Sequence, residues 1–133
     1  MSPKSFVVHV HGGTTHSVVI MLTKLYLAMN GATVRDESVF GMKHNAPSIP
    51  DVWAVYDERI PMGGGRYRSQ TSNLIVEVES RPTKESIAKK RLQYEATLAG
   101  VDLRILDLET LDESTLHDWT KLLAWIGEWM PVG

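Results

Sequence analysis

Apolar and polar residues alternate with two different periods along the chain, and the change of period predicts both strands and helices. Period-two alternation predicts strands over residues 5–13, 32–41, 51–57, 74–80 and 101–108. Spacings of three and four predict helices over about 14–29, 82–99 and 114–130. Segments rich in glycine, proline and polar residues predict a loop at 41–50 and a turn at 58–73. This order, β-α-β-β-β-α-β-α, predicts an α/β fold with a mixed central β-sheet flanked by helices.

The same periods assign side chains to faces. In the strand at 51–57, one face is predicted to carry Val52, Ala54 and Tyr56, and the other Asp51, Trp53 and Val55. The helix at 82–99 is predicted to bury a stripe of Ala88, Leu92, Ala96 and Ala99. The last helix is predicted to bury Leu116, Trp119, Leu122, Leu123, Ile126 and Trp129. A hydroxyl of Thr14, Thr15 or Ser17 is expected to cap the first helix.

Length and composition are typical of one soluble domain spanning residues 1–133, with a core at about 14–108. The absence of cysteine excludes disulfides and thiolate sites and suits a reducing compartment. The longest apolar stretch, residues 17–29, is too short for a membrane span and contains Lys24. We therefore expect a cytoplasmic protein, of a cell or of an infected host cell, with no membrane partner.

Charge is distributed unevenly although the net charge is only −2. Residues 59–91 contain eight basic and three acidic residues, a net charge of +5, whereas the chain from residue 102 contains two basic and seven acidic residues, a net charge of −5. A basic middle segment suits a polyanionic partner such as nucleic acid. Two solvated helix faces would explain the same distribution.

Two carboxylates interrupt the apolar strand at 74–80. Glu77 and Glu79 are two residues apart, so their side chains lie on the same face, roughly 7 Å apart. Asp51 opens the neighbouring predicted strand and brings a third carboxylate close to them. Like charges at this separation raise one another's pKa and destabilise the fold unless a cation compensates. A hard divalent cation such as Mg²⁺ would do so; ion pairs with Arg81, Lys84 or Arg91 are the alternative.

These residues carry a resemblance to a known family. Pro-Asp at 50–51, an apolar strand, the segment IVEVES at 75–80 and a following helix with lysine and glutamine resemble the PD-(D/E)xK nuclease superfamily. The resemblance covers about residues 14–108, and the layout is most similar to archaeal-type Holliday junction resolvases. Those enzymes have a helix, a strand, a basic polar loop, the Pro-Asp strand, its hairpin partner and a second helix. The resemblance implies a restriction endonuclease-like fold.

The resemblance also implies roles for single residues. Asp51 and Glu77 would be metal ligands and, with Glu79 and Lys84, the catalytic residues. Glu79 stands where the family motif has a lysine that orients the attacking water or stabilises charge. Glu79 itself could act as a further metal ligand or general base; Lys84, with Lys89 behind it, could supply the lysine from the next helix; or the site could be inactive. The glutamate of the family's first helix has no counterpart in residues 14–30, where His16 is a candidate to face the site or to be a surface residue.

The implied activity is hydrolysis of DNA phosphodiester bonds with Mg²⁺, for which Mn²⁺ would substitute. The leading expectation is a junction-resolving endonuclease; the alternatives are a restriction- or repair-type endonuclease on duplex DNA and a non-catalytic DNA-binding protein that retains the fold. A homodimer is expected because two strands must be cut. Phosphate contacts are expected from basic side chains, namely Lys43, Arg66, Arg68, Arg81, Lys84, Lys89 and Lys90.

Overall fold

A four-stranded sheet with helices on both faces forms the framework of the chain, as a computed structural model describes it over residues 13–44 and 49–131. The side chains of residues 43 and 44 lie outside the described part, as does the predicted strand at 5–13 apart from Gly13. The helices are α1 (Thr14–Met29), α2 (Glu37–His44), α3 (Lys84–Thr97), α4 (Glu113–Leu116) and α5 (Trp119–Trp129), with a 3₁₀ turn at Leu108–Thr110. The strands are β1 (Thr33–Arg35), β2 (Val52–Gly63), β3 (Arg66–Glu79) and β4 (Asp102–Asp107).

The sheet is mixed, as predicted. Its strand order is β1-β2-β3-β4. β2 is antiparallel to both β1 and β3, whereas β4 runs parallel to β3. The parallel pair is connected through α3, which is the crossover that parallel neighbours require. The α/β class with a mixed sheet between helices is therefore confirmed.

Each face of the sheet has its own apolar core. Val52, Ala54 and Tyr56 face the layer of α1 and α5, where they pack with residues such as Leu27 and Ile126. The predicted division of this strand into two faces is confirmed, because Trp53 packs in a second cluster on the opposite face. That second cluster consists of Phe40, Trp53, Ile75, Tyr94 and Leu103. Alternate residues of β2 and β3 thus serve two cores, as expected for a sheet covered on both sides.

The first helix has the predicted bounds but not the predicted cap. Gly13 occupies the N-cap position, and no side chain caps the helix there. Asn30 ends the helix, and Gly31 follows with a φ of 91°, a left-handed conformation that glycine adopts without steric cost. The predicted stop at Asn30 and Gly31 is confirmed.

The strand predicted over 32–41 is wrong beyond residue 35, because α2 begins at Glu37. Asp36 starts this helix: its carboxylate accepts hydrogen bonds from the backbone N–H and the hydroxyl of Ser38. Glu37 is buried and pairs with Lys24 of α1, a long-range contact that local periodicity does not reveal. The loop predicted at 41–50 is likewise helical up to His44, and residues 45–48 lie outside the described part.

The turn predicted over 58–73 is also wrong, because most of this segment is paired in a long hairpin of β2 and β3. Only Gly64 and Gly65 form the turn. The φ values of Gly63, Gly64 and Gly65 are 84°, 60° and 72°, respectively. Three successive positive φ values explain why the segment requires three glycines. The polar composition suggested a loop, but it reflects strands that are exposed on both faces.

The buried face of α3 differs from the prediction. Leu92 is 69% exposed, and Ala88, Ala96 and Ala99 are also exposed. The inward face carries Ser86, Ile87, Lys90, Gln93, Tyr94, Thr97 and Leu98. Thr83 and Ser86 begin the helix with a reciprocal capping box. The apolar stripe misled the prediction because this helix covers polar carboxylates rather than a purely apolar surface.

The predicted helix at 114–130 is interrupted after α4. The carboxylate of Asp118 accepts hydrogen bonds from the backbone N–H groups of Thr120 and Lys121 and so begins a new helix, α5. Leu122 and Ile126 of α5 are buried as predicted, whereas Trp119 is 67% exposed, contrary to the prediction. None of the helices in the described ranges has the length and apolarity needed to cross a membrane.

Candidate functional site

Three carboxylates lie at one end of the sheet, on the face that α3 covers. Asp51 immediately precedes β2, and Glu77 and Glu79 are at the end of β3. The register pairs Val52 with Val76, so Asp51 and Glu77 follow as neighbours one step further along the two strands. Both Glu77 and Glu79 contact Lys90 of α3. The two glutamates therefore share a face, as their spacing predicts.

Asp51 is buried and held in place by the backbone of β3. Its Oδ2 accepts a hydrogen bond of 2.8 Å from the N–H of Val78. The Nε2 of His16 lies 3.5 Å from the same oxygen and 2.9 Å from the carbonyl oxygen of Val78. His16, in the first turn of α1, thus faces the site, which is one of the two positions that the sequence left open for it.

Glu77 is the most enclosed of the three carboxylates, with 6% of its surface exposed. Its Oε1 accepts a hydrogen bond of 2.5 Å from the hydroxyl of Tyr94, and its Oε2 lies 3.3 Å from the Nζ of Lys90. Burial raises the pKa of Glu77 to about 7, and the negative charge of Asp51 adds to the rise, against the opposing effects of Tyr94 and Lys90. Glu77 is therefore poised between its two protonation states near neutral pH.

Lys90 connects the two glutamates of β3. Its Nζ forms an ion pair with Glu79 and another with Glu77. Burial alone would lower the pKa of Lys90, but the hydrogen bond to Glu79 and the charges of both glutamates raise it overall. The lysine is therefore a cation held between two carboxylates, with 30% of its side chain exposed.

The structure does not bring Lys84 to the carboxylates. Lys84 begins α3 and is exposed, and no hydrogen bond or ion pair joins it to an acid among the described residues. Lys84 precedes Lys90 by six residues, and at 3.6 residues per turn their side chains point in directions roughly 240° apart around the helix axis. The two lysines therefore lie on different faces of α3. Lys89 is exposed as well. The sequence does contain an indication that Lys90 faces inward. Ile87 lies three residues before Lys90 and Tyr94 four residues after it, and residues at these spacings share one face of a helix.

The site has more negative than positive charge. Among the described side chains, Glu77 and Glu79 contact one ammonium, that of Lys90, and Asp51 lies beside the imidazole of His16. Within the described ranges, no group of three or more histidine, aspartate or glutamate side chains is arranged to hold a metal ion by itself. Mg²⁺ requires only one or two carboxylates and retains several waters. Asp51 and Glu77 fit that requirement, since they are oxygen ligands whose mutual repulsion a cation would relieve.

The predicted phosphate-binding residues are dispersed over the molecule. Lys84, Lys89 and Lys90 lie on α3 beside the site, and exposed Arg81 pairs with Glu109 at 2.8 Å. The backbone of Lys43 is in α2, but its side chain lies outside the described part. Arg66 and Arg68 are at the start of β3, at the opposite end of the strand from the carboxylates. Nine residues separate Arg68 from Glu77, which corresponds to roughly 30 Å along an extended strand.

Comparisons with known proteins give no further guidance on this site. No protein-family model matches the chain, and searches of curated proteins and of solved structures find no match either.

Proposed function

We propose that this protein is a metal-dependent endonuclease that hydrolyses phosphodiester bonds in DNA, with branched DNA as its leading substrate. The observation that carries the proposal is the charge imbalance at the end of β2 and β3. Three carboxylates, two of them buried, lie together there, and among the described residues one lysine, Lys90, contacts two of them, Glu77 and Glu79. Buried carboxylates with perturbed pKa values cluster at functional sites more often than elsewhere in proteins.

The order of elements supports the nuclease assignment. A helix, a short strand, a Pro-Asp segment that opens the next strand, its hairpin partner with the glutamates, and a helix with the lysine occur in this order as α1, β1, β2, β3 and α3, with α2 between β1 and β2 where the resolvases have a basic polar loop. This is the order that the resemblance to the PD-(D/E)xK superfamily implies. The preference for branched DNA rests on the similarity of this layout to the junction resolvases, and a dimer would supply two such sites for two strands.

Each residue of the site has a different proposed role, which follows from its position. Asp51 and Glu77, with Glu79 at the rim, would hold Mg²⁺, which lowers the pKa of a bound water and neutralises charge on the phosphate. The N–H of Val78 orients Asp51, and the hydroxyl of Tyr94 orients Glu77. Lys90 replaces the motif lysine from α3, where its ammonium stabilises negative charge on the phosphate oxygens.

A non-catalytic DNA-binding protein is the second candidate, and one observation favours it. Lys90 already neutralises part of the charge of Glu77 and Glu79. In a protein without a metal, this lysine would be a permanent structural cation, and the basic side chains would bind DNA without cleaving it. The two candidates make opposite predictions for the effect of divalent cations.

A cleavage assay with labelled four-way junctions, linear duplexes and single strands tests the proposal. We expect cleavage with Mg²⁺ or Mn²⁺, fastest on the junction, and none with chelator. Asp51→Asn and Glu77→Gln should each reduce the rate at least about 100-fold while DNA binding persists. Failure of the wild-type protein to cut any of these substrates with either metal would exclude the nuclease function. Preferred cleavage of linear duplex would instead point to a restriction- or repair-type enzyme.

Matched lysine variants test the assignment of Lys90. We expect Lys90→Met to reduce the single-turnover rate about 100-fold, because a charge-stabilising donor is lost. Lys84→Met and Lys89→Met, which remove the same charge from exposed positions of the same helix, should change it less than about threefold. A large loss in Lys84→Met with Lys90→Met near wild type would assign the role to Lys84 instead.

A further inference from the structure

The outer half of the β2–β3 hairpin extends beyond the rest of the sheet. β1 pairs with β2 only at residues 53–55, and β4 pairs with β3 only at residues 74–79. From Asp57 to Thr71 every residue is exposed except the half-buried Ile60. We call residues 57–72 the hairpin arm. Because a two-stranded ribbon alone is marginally stable in water, the arm has the form of a segment that binds a partner.

The charge of the arm identifies the chemistry of that partner. The outer part of the arm, residues 59–69, contains three arginines and no acidic residue, whereas Asp57 and Glu58 lie at the base of the arm, paired with Thr71 and Gln70. Strand alternation places Arg66 and Arg68 on one face of the ribbon and Arg59 with Tyr67 on the other, where the Arg59 guanidinium lies 4.3 Å from the ring centroid of Tyr67. The remaining polar side chains of β3 in this region are neutral, namely Ser69, Gln70, Thr71 and Ser72. In the outer part of the arm both faces therefore carry positive charge next to neutral hydrogen-bonding groups, which is complementary to a groove lined by phosphates on both sides.

We propose that the hairpin arm inserts into the major groove of duplex DNA at a distance from the carboxylate site. The major groove admits a two-stranded ribbon, and arginines on the two ribbon faces would contact the phosphates of the two groove walls. This inference deepens the proposed function and rests on it for the identity of the ligand as DNA. It adds a second contact region that the cleavage chemistry itself does not require.

The length of the arm determines which DNA it recognises. Arg68 and Glu77 are separated by roughly 30 Å along β3, and one turn of B-DNA is about 34–36 Å long. An arm aligned with the DNA axis would therefore meet the groove about one helical turn from the scissile phosphate, on the same side of the duplex. Tight binding then requires a duplex of more than about ten base pairs next to the cleavage site.

Equilibrium binding in chelator tests this inference without cleavage. We compare the wild-type protein with Arg66→Ala/Arg68→Ala on a 30-base-pair duplex and on an 8-base-pair duplex closed by a loop. On the long duplex, the double variant should bind on the order of tenfold more weakly, with a salt dependence reduced by about two phosphate contacts. On the short duplex, which cannot reach both regions, the two proteins should bind alike. Arg66→Lys/Arg68→Lys should retain most of the affinity, and Lys121→Ala, which removes an exposed charge from α5, should bind as the wild type does.

Each result bears on one proposal separately. Equal affinity of the double alanine variant and the wild type for the long duplex would overturn the arm inference even if the wild type cleaves DNA. Equal weakening on both duplexes would also overturn it, since the contact would then not depend on length. A change in oligomeric state of the double variant without DNA, measured by light scattering, would assign the arm to a second copy of the chain. Arm-dependent binding without any cleavage would retain the arm inference and reject the nuclease.

Discussion

Two lysines within the described ranges contact buried glutamates, and they differ in charge balance and in access to solvent. Lys24 of α1 lies 2.8 and 3.0 Å from the two carboxylate oxygens of Glu37, and both residues are almost fully buried, with 0% and 1% exposure. Lys90 of α3 contacts two glutamates at once and keeps 30% of its side chain exposed. The first contact is an ion pair closed to solvent, whereas the second belongs to a group of described side chains with more carboxylates than ammonium groups.

This difference suggests a structural role for the Lys24–Glu37 contact and a chemical role for the group around Lys90. The Lys24–Glu37 ion pair is closed to solvent and joins α1 to α2. The cluster around Lys90 contains Asp51 in addition, and the charge of Asp51 helps to raise the pKa of Glu77. Surplus carboxylate charge at the end of β2 and β3 is what a divalent cation would compensate. The following predictions test this contrast in order of decreasing effect.

Removal of Lys24 should have the largest effect on stability. Lys24→Met leaves the carboxylate of Glu37 buried without its cation, and loss of one partner of a buried pair typically costs about 3–5 kcal/mol. The free energy of unfolding, measured by urea denaturation, should fall by that amount. The double variant Lys24→Met/Glu37→Leu should recover most of the loss, since it leaves no buried charge. A loss below about 1 kcal/mol in the single variant would show that the pair is not structurally important.

The pH dependence of stability should distinguish Glu77 from ordinary carboxylates. The folded protein retains the proton of Glu77 up to a pKa of about 7, whereas the unfolded chain loses it near 4.5. The folded state therefore binds more protons between these values, so this group's contribution to stability is present below about pH 4.5 and is lost as the pH rises through 7. The difference in unfolding free energy between wild type and Glu77→Gln should fall by about 3 kcal/mol over that window.

The measurement requires chelator, so that no divalent cation competes with the proton. Glu109→Gln, which changes an exposed glutamate, is the matched control and should give a difference that varies little with pH. A wild-type minus Glu77→Gln difference that stays constant from pH 4.5 to 7.5 would contradict the raised pKa.

Periodicity predicted the sheet, its two faces and the placement of the carboxylates, because each of these depends on alternation within a single strand. Glu77 and Glu79 share a face for that reason, and Asp51 lies beside Glu77 because a hairpin connects their strands. The errors lie where tertiary contacts override local pattern. Glu37 is helical and buried because Lys24 lies opposite, and such a contact has no local signature.

The inward position of Lys90 on α3 was not predicted, for a related reason. The sequence suggests that alanines and Leu92 face inward, because apolar residues usually do. The helix instead turns Lys90 and Tyr94 toward the carboxylates, where polar groups are needed to satisfy buried charge. The exposed hairpin arm was predicted as a turn for the opposite reason, since a ribbon exposed on both faces lacks the apolar alternation of a half-buried strand.

Binding of Mn²⁺ at pH 7.5, measured by titration calorimetry or by the loss of the free-ion electron paramagnetic resonance signal, tests the central claim most directly. The account predicts binding to the wild-type protein that weakens at least about tenfold in Glu77→Gln and strengthens on the order of tenfold in Lys90→Met, because the competing ammonium is removed. Lys84→Met should bind as the wild type does. Equal affinity in the wild-type, Glu77→Gln and Lys90→Met proteins, or no binding to any of them, would contradict the claim that the surplus charge of this cluster serves a divalent cation.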